Sequence, residues 1–440
     1  MRIAFITAGA AGMYCGSCMR DNTLAAALHA LGHDAILVPT FTPITTDEAD
    51  VSDKHIFMGG VNVYLQEKFR LFRHTPRWFD RLLNARWLLR YVSRYSSNTD
   101  YSTLGGLTAS MLQGTLGHQR KEVARLVAWL KTEAKPDVVL LTNALLSGVV
   151  PAIRRELGVP VLTTLQGDDI FLDALPESDR ERCIQLILGH DAHTEGYIST
   201  SGAYADYMSG YLRLKREKVH VVYPGINTKG HERMTPLERP PTIGYFARIA
   251  PEKGFANMID AFIKLKARPG TEAIQLKYSG WLGVKNQAFH TAQLAKLADA
   301  GILANAHHVE SPDHASKVRF FQSIDVLSVP TIYHEPKGLY VLEAWANGVP
   351  VVQPHHGSFP ELIQQTGGGV LIPPNDANAL ADALFELLAD HPRRAELGNN
   401  GHTALHERFT AQAMARETVA LLERILKPMP THNPPQLQAT

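Results

Sequence analysis

With 440 residues the chain is too long for one typical domain, so two domains of about 200 residues each are expected. A hydrophobic fraction of 45% and a charged fraction of 20% describe a globular chain, and a formal net charge of +1 exerts no global pull on nucleic acid or membrane. Three cysteines argue against a disulfide framework, and no apolar run approaches the roughly 20 residues of a spanning helix, so a cytoplasmic protein is expected.

Arg2–Thr7 reads as a strand, a helical pattern runs from about Asp21 to Leu31, and Gly32 leads into a strand over Ala35–Pro39, which makes a βαβ beginning. The apolar run after Arg2 is too short for a signal-peptide core. Between strand and helix, Gly9, Gly12 and Gly16 belong to a loop of the sort that lets backbone approach a phosphate or sugar. It is not GxGxxG, and the second strand ends Pro39-Thr40-Phe41 without the acidic residue that a dinucleotide ribose needs. No GxxxxGK followed by Ser or Thr occurs either, so nicotinamide, flavin and P-loop chemistry are disfavoured. Cys15-Gly-Ser-Cys18 is compatible with a redox pair, half a zinc site, or small residues lining a tight loop; the second CxxC of a zinc site is missing.

From Gln66 to Tyr95, Lys and Arg residues interleave with Phe69, Phe72, Trp78, Phe79, Trp87 and Tyr91. Such a stretch suits contact with an anionic membrane surface, a groove for an acidic or lipid-linked acceptor, or a helix with core aromatics and solvated arginines. Nothing in it resembles a nucleic-acid recognition module. Buried-strand runs follow at Val138–Leu141, Val161–Leu165 and Gly196–Ser199, which suggests a doubly wound parallel sheet. Asn143 and Gln166 follow two of these runs and can position a ligand by hydrogen bonds; Asp168, next to Asp169, does the same or caps the next helix. Tyr223–Asn227, with the polar, Pro-rich segment to Pro241, is the hinge candidate.

A second sheet is expected from Ile243–Ala247, Gln275–Ser279, Val326–Val329, Val351–Gln353 and Val370–Ile372, alternating with helices that include Phe255–Leu265, His314–Ser323, Leu339–Asn347 and Ala377–Ala389. Arg248 and Lys253 lie at a strand end and a helix start, where cations and free N–H groups can hold a diphosphate; the alternative is two solvated charges. Pro336 and Gly338 precede a short helix that Gly348 and Pro350 end. Glu343 lies four residues after Leu339 and so borders the buried stripe, where a carboxylate needs donors: a sugar diol, or a structural Arg or Lys. Glu335 stands before the first turn, beside backbone N–H groups of Lys337, Gly338 and Leu339 that can attract phosphate. No metal-ligand cluster is evident among the 20 histidines. An amphipathic helix from about Ala411 to Leu426 precedes a Pro-rich tail expected to be disordered.

Gly-x-Phe-x-Arg-x-x-x-Glu-Lys-Gly, here Gly244 to Gly254, together with Glu335-x7-Glu343 inside Glu-x-x-Gly-Leu-x-x-x-Glu-Ala-x-Ala-x-Gly-x-Pro-Val-Val, resembles the retaining glycosyltransferases of family 4, the group 1 glycosyltransferases. The resemblance implies the GT-B fold, an α/β architecture of two Rossmann-like, doubly wound parallel-sheet domains facing a central cleft. Residues 1–224 would form the acceptor domain, with the C-terminal helix 406–427 packing back on it; residues 225–405 would form the nucleotide-sugar domain, and 428–440 the tail. It implies sugar transfer from a nucleotide-diphosphate sugar to a hydroxyl acceptor with retained configuration and no cofactor or metal. Arg248 and Lys253 would neutralise the diphosphate, Glu343 would bind the ribose, and Glu335 would contact the transferred sugar. The backbone of Lys337, Gly338 and Leu339 would hold phosphate or sugar oxygens. Gly9, Gly12, Asn143, Gln166 and Asp168 are candidates for placing sugar or acceptor, and 66–95 for peripheral contact with the inner face of a membrane. Lys337 stands where the family usually has Phe, and Asn143 and Gln166 stand where relatives carry histidines. The empty histidine positions leave a non-catalytic nucleotide-sugar-binding protein as an alternative, beside a GT-B phosphorylase or epimerase.

Overall fold

A computed structural model of the protein describes residues 1–9, 15–75, 104–233 and 239–426. Strands and helices alternate to form two six-stranded sheets, parallel throughout. The first contains β1 (Arg2–Thr7), β2 (Asp34–Pro39), β3 (Val138–Leu141), β4 (Val161–Leu165), β5 (Gly196–Ser199) and β6 (Val219–Val221), in the order β2-β1-β3-β4-β5-β6. The second contains β7 (Thr242–Phe246), β8 (Gln275–Ser279), β9 (Ala306–His308), β10 (Val326–Leu327), β11 (Val351–Pro354) and β12 (Gly369–Ile372), in the order β12-β11-β10-β7-β8-β9.

Every residue of β3 and β4 is buried, because helices cover both faces of a parallel sheet, and this explains the unbroken apolar run of β3 and the β-branched Thr163 and Thr164 between apolar residues in β4. Two strands are additional to the sequence expectation. β6, Val219-His220-Val221, and β9, Ala306-His307-His308, are three-residue edge strands paired on one side only, so neither needs an apolar run.

The helix after β1 spans Gly16–Ala30, so Cys15-Gly-Ser-Cys18 forms its cap and first turn and it starts before Asp21. Residues 406–408 finish the helix His391–Arg408, and the return to the first sheet begins at Thr410. There the two chain crossings pair: Ile226 N–H donates to Phe409 O at 3.0 Å and Ala411 N–H to Ile226 O at 2.8 Å. The helix Ala411–Leu426 then lays Met414, Ala415, Leu421 and Leu422 into one core with Ile3, Phe5, Leu24 and Leu28. Each larger side chain buried there contributes roughly 1.5–3 kcal/mol, which ties the chain end to the first sheet. No helix among the described residues is long and apolar enough to cross a membrane. Gly12, residues 76–95 of the basic stretch and the tail 428–440 lie outside the described residues.

Candidate functional site

Strand order reverses between β1 and β3 in one sheet and between β7 and β10 in the other. Ligands of open α/β sheets gather outside the carboxyl ends of strands at such points. A cleft of about 630 Å³ lies there, lined by Cys15, Ser17 and Gln166 from the first sheet's loops and by Arg248, Lys253, Glu335, Lys337, Leu339 and Glu343 from the second's. Phe246, Trp281, Leu282 and Pro312 add an apolar wall.

Lys253 reaches the cleft because Gly254, at φ +72, turns the chain against the Pro330 carbonyl, where a Cβ would come within 1.7 Å of oxygen. Lys253 Nζ donates to Glu335 Oε2 at 2.7 Å and to the Tyr333 hydroxyl. The same carboxylate accepts from Tyr333 OH at 2.5 Å and Tyr340 OH at 3.2 Å. Burial alone would raise the Glu335 carboxyl, but the Lys253 charge and hydrogen bond outweigh it and hold the group down at about 2. Arg248, more exposed, pairs with Glu252 at 2.9 Å.

Gly338, in the left-handed region at φ +60, is the N-cap of the helix Leu339–Ala346. Two of the three N–H groups expected to attract phosphate, those of Lys337 and Gly338, are already taken. Glu335 Oε1 accepts from the backbone N–H groups of Lys337 and Gly338, both at 3.3 Å, because a carboxylate three residues before the cap lies within reach of those donors. The Lys337 side chain turns across the cleft, where Nζ donates to Gln166 O at 2.6 Å and Ser17 Oγ at 3.1 Å. Burial pushes this ammonium below the ordinary lysine value, against the opposing charge of Glu335.

Glu343 is buried and has found a lysine. Lys317, on the helix His314–Gln322, donates to Glu343 Oε1 at 2.7 Å and also pairs with Asp47, from the loop after β2. Burial pushes the Glu343 carboxyl up against the pull of Lys317. Burial also opposes the Lys317 charge, but the two carboxylates keep that ammonium protonated far above its usual range. Neither Lys317 nor Asp47 was singled out from sequence, since no spacing signal links them to Glu343.

Of the remaining candidates, Asp168, Asn143 and Gly9 lie outside the cleft lining. The Asp168 carboxylate neither faces the cleft nor caps its helix; it accepts from Ala144 N–H at 2.6 Å and Gln166 N–H at 3.1 Å, joining the loops after β3 and β4. Its carboxyl is pushed up by burial to about 6. Asn143 is absent from the cleft wall, and its Oδ1 is buried without a protein partner. Gly9 packs on the loop after β2, where a Cβ would meet the Thr42 carbonyl at 1.9 Å, so its role there is close packing. Gln166 does line the cleft; its Nε2 donates to Thr142 O at 2.8 Å, while Oε1 is buried and unpartnered. Among the described residues no group of three His, Cys, Asp or Glu could hold a metal ion.

Further bonds close the two sheets' layers on one another. Thr200 Oγ1 donates to Pro336 O at 2.7 Å, and Glu361 accepts from Gly202 N–H at 3.0 Å and Ala203 N–H at 2.9 Å, capping the helix Gly202–Tyr211 from across the cleft.

Residues 228–404 match the family model described as glycosyl transferases group 1, and residues 108–229 match that of glycosyltransferase family 4. The chain belongs to the group 1 glycosyltransferases. It is 31% identical over 194 residues to a lipopolysaccharide core biosynthesis mannosyltransferase, LpsB, of Rhizobium meliloti, covering 42% of this chain and 52% of that protein. It is 26% identical over 280 residues to a D-inositol 3-phosphate glycosyltransferase of Corynebacterium aurimucosum, covering 59% and 65%. The match thus spans between about half and two-thirds of the length of these curated relatives. Among solved structures, sucrose-phosphate synthase from Thermosynechococcus elongatus superposes with a TM-score of 0.70 at 18% identity, covering 97% of this chain and 99% of that one. Anabaena HepE in complex with UDP and glucose gives 0.67 at 15% identity, covering 96% and 100%. The fold of this group 1 glycosyltransferase is therefore GT-B, two parallel-sheet layers flanking a cleft.

Proposed function

We propose that the protein transfers a sugar from a nucleotide-diphosphate sugar to a hydroxyl acceptor with retention of configuration and without a metal ion. The observation that carries this reading is the meeting of Glu335, Glu343, Arg248 and Lys253 on one cleft wall. Arg248 and Lys253 are placed to take up the charge that grows on the departing diphosphate, the task a divalent ion performs elsewhere. Glu335 trades hydrogen bonds with Tyr333 and Tyr340 for sugar hydroxyls, and Glu343, its charge balanced by Lys317, binds the ribose. The bond from the anomeric carbon to the diphosphate oxygen breaks, the acceptor oxygen joins that carbon from the same face, and the acceptor proton passes to the departing phosphate. Because relatives of this fold have been crystallised with UDP, uridine diphosphate is the first donor nucleotide to test. Exposed Phe69 and Leu71, beside Lys68 and Arg70, support peripheral membrane contact from the cytoplasmic side; flotation with anionic liposomes tests it.

Calorimetric titration with UDP and a UDP-sugar panel tests the donor site. Arg248→Ala is expected to weaken UDP binding about 10- to 100-fold, since a hydrogen bond to a charged group contributes roughly 1.5–3 kcal/mol. Glu335→Gln is expected to reduce transfer far more than UDP affinity. Unchanged affinity in Arg248→Ala sinks the assignment, and binding with neither transfer nor slow hydrolysis would make the chain a nucleotide-sugar-binding protein instead.

A further inference from the structure

Cys15 and Cys18 are left unused by the proposed transfer, yet Cys15 lines its cleft and Cys18 lies buried directly behind it on the same helix. Cys15 is the N-cap residue of the helix Gly16–Ala30, lines the cleft and is half-buried, while Cys18 is buried one turn on. That helix start has no side-chain cap and no acidic residue in its first turn, so its positive end is uncompensated except by what Cys15 offers. A Cβ on Gly16 would lie 3.7 Å from Lys337 Cε, which brings the lysine from the opposite layer over the same turn. Hydrogen bonding from Cys18, one turn along the helix, acts on the Cys15 sulfur, and Lys337 adds its charge. These contacts hold the Cys15 thiol well below its usual range and, reciprocally, Cys18 well above it. The other charges nearby are the buried Arg20–Asp21 pair, 3.0 Å apart, on the same helix. Thr7 Oγ1 lies 3.9 Å from Cys18 Sγ. Cys183 is the internal contrast: buried in an apolar cluster away from the cleft, with its thiol pushed up to about 11 by burial.

We propose that Cys15 and Cys18 are a reversible dithiol–disulfide site in the sugar-donor cleft, with Cys15 as the attacking sulfur and a low-molecular-weight disulfide as the co-reactant. The Cys15 thiolate attacks one sulfur of the small disulfide, forming a mixed disulfide and expelling one thiolate. Cys18 then loses its proton and attacks Cys15 Sγ, expelling the second thiolate; the protein pair is oxidised by two electrons and the small disulfide reduced to two thiols. Oxidation withdraws the anion that Lys337 faces and leaves the cleft floor more positive.

The test reads the thiols, not turnover, so it stands or falls separately from the transfer reading. The folded protein is alkylated with iodoacetamide across pH 6–8 and each cysteine is followed by peptide mass spectrometry. An ordinary thiol labels on the order of 100-fold more slowly at pH 6 than at pH 8, in step with its thiolate fraction, whereas Cys15 is expected to change less than about threefold. Oxidised glutathione is expected to give a Cys15–Cys18 disulfide that dithiothreitol reverses, and Cys18→Ser to stop at glutathione on Cys15. An ordinary pH profile at Cys15, or both thiols still free after prolonged exposure of wild-type protein to oxidised glutathione, overturns the proposal. The wild-type measurements decide it even if Cys18→Ser does not fold.

Discussion

Glu335→Gln probes the densest electrostatic knot in the cleft. The glutamine keeps Oε1, which can still accept from Lys337 and Gly338 N–H, but puts an NH2 donor where Oε2 received Lys253, Tyr333 and Tyr340. The two tyrosine hydroxyls can rotate and accept instead; the Lys253 ammonium cannot. Its side chain is only 13% exposed, so the substitution strands a largely buried cation, a change that costs about 3–5 kcal/mol. For a domain of 150–250 residues that is a fall in Tm on the order of 10 °C. Adding Lys253→Met removes the stranded charge and should restore at least half of the loss while leaving transfer abolished, because the cation proposed to face the diphosphate is gone. The pH dependence follows from the sign of the shift. The Glu335 carboxyl is lowered to about 2, so its stabilisation is fully present above the unfolded value near 4.3 and is lost as pH falls toward 2. The gap between wild type and Glu335→Gln should therefore narrow between about pH 4.3 and 2, as followed by circular dichroism melts. A single variant melting within 2 °C of wild type at pH 7, or a double variant no more stable than the single one, refutes the reasoning.

Lys317→Met leaves Asp47 and Glu343 as two adjacent buried carboxylates without a counter-ion, so a fall in Tm on the order of 10 °C is expected at pH 8. Burial already raises the Glu343 carboxyl, so the native variant takes up a proton that the unfolded chain does not, and its Tm should recover as pH falls from 8 to 5; a flat profile would count against the cluster. Glu361→Ala removes the carboxylate that caps the helix Gly202–Tyr211 from the opposite layer, and small-angle scattering should show a larger radius of gyration for the ligand-free variant. An unchanged radius would mean that Glu361 does not hold the cleft closed.

What could be read in the sequence and what could not divides along the range of the interactions. The strands β3 and β4 were legible because a parallel strand covered on both faces takes apolar and β-branched residues along its length. The helix Leu339–Ala346 was legible because Gly338 before it and Gly348 after it both take positive φ, a local requirement written in the residue type. Edge strands β6 and β9 escaped because one ladder of hydrogen bonds constrains the backbone but hardly the side chains. For Glu343 the local pattern showed only that a carboxylate beside an apolar stripe needs a partner. The partner, Lys317, sits 26 positions earlier on a different helix, and Asp47 comes from the other layer. Nothing periodic connects such residues; they meet only because two switch points are apposed.

The same limit explains Glu335 and Lys337, the two residues whose surroundings changed most between sequence and structure. From spacing, the N–H groups before Leu339 looked free to receive a ligand, yet the Glu335 carboxylate, two and three residues upstream of them, reaches them first. A donor entering the proposed site therefore meets charged groups that already pair within the protein: Glu335 with Lys253 and the helix start, Glu343 with Lys317, Lys337 with Gln166 and Ser17. On the proposed reading, binding exchanges these bonds for equivalent ones to phosphate, ribose and sugar, so the net gain of each exchange is small while a mismatched ligand leaves a buried charge unpaired. Discrimination among donors in such a cleft comes chiefly from the cost of incomplete exchange, and a ligand lacking one hydroxyl should lose more affinity than the missing contact alone would contribute.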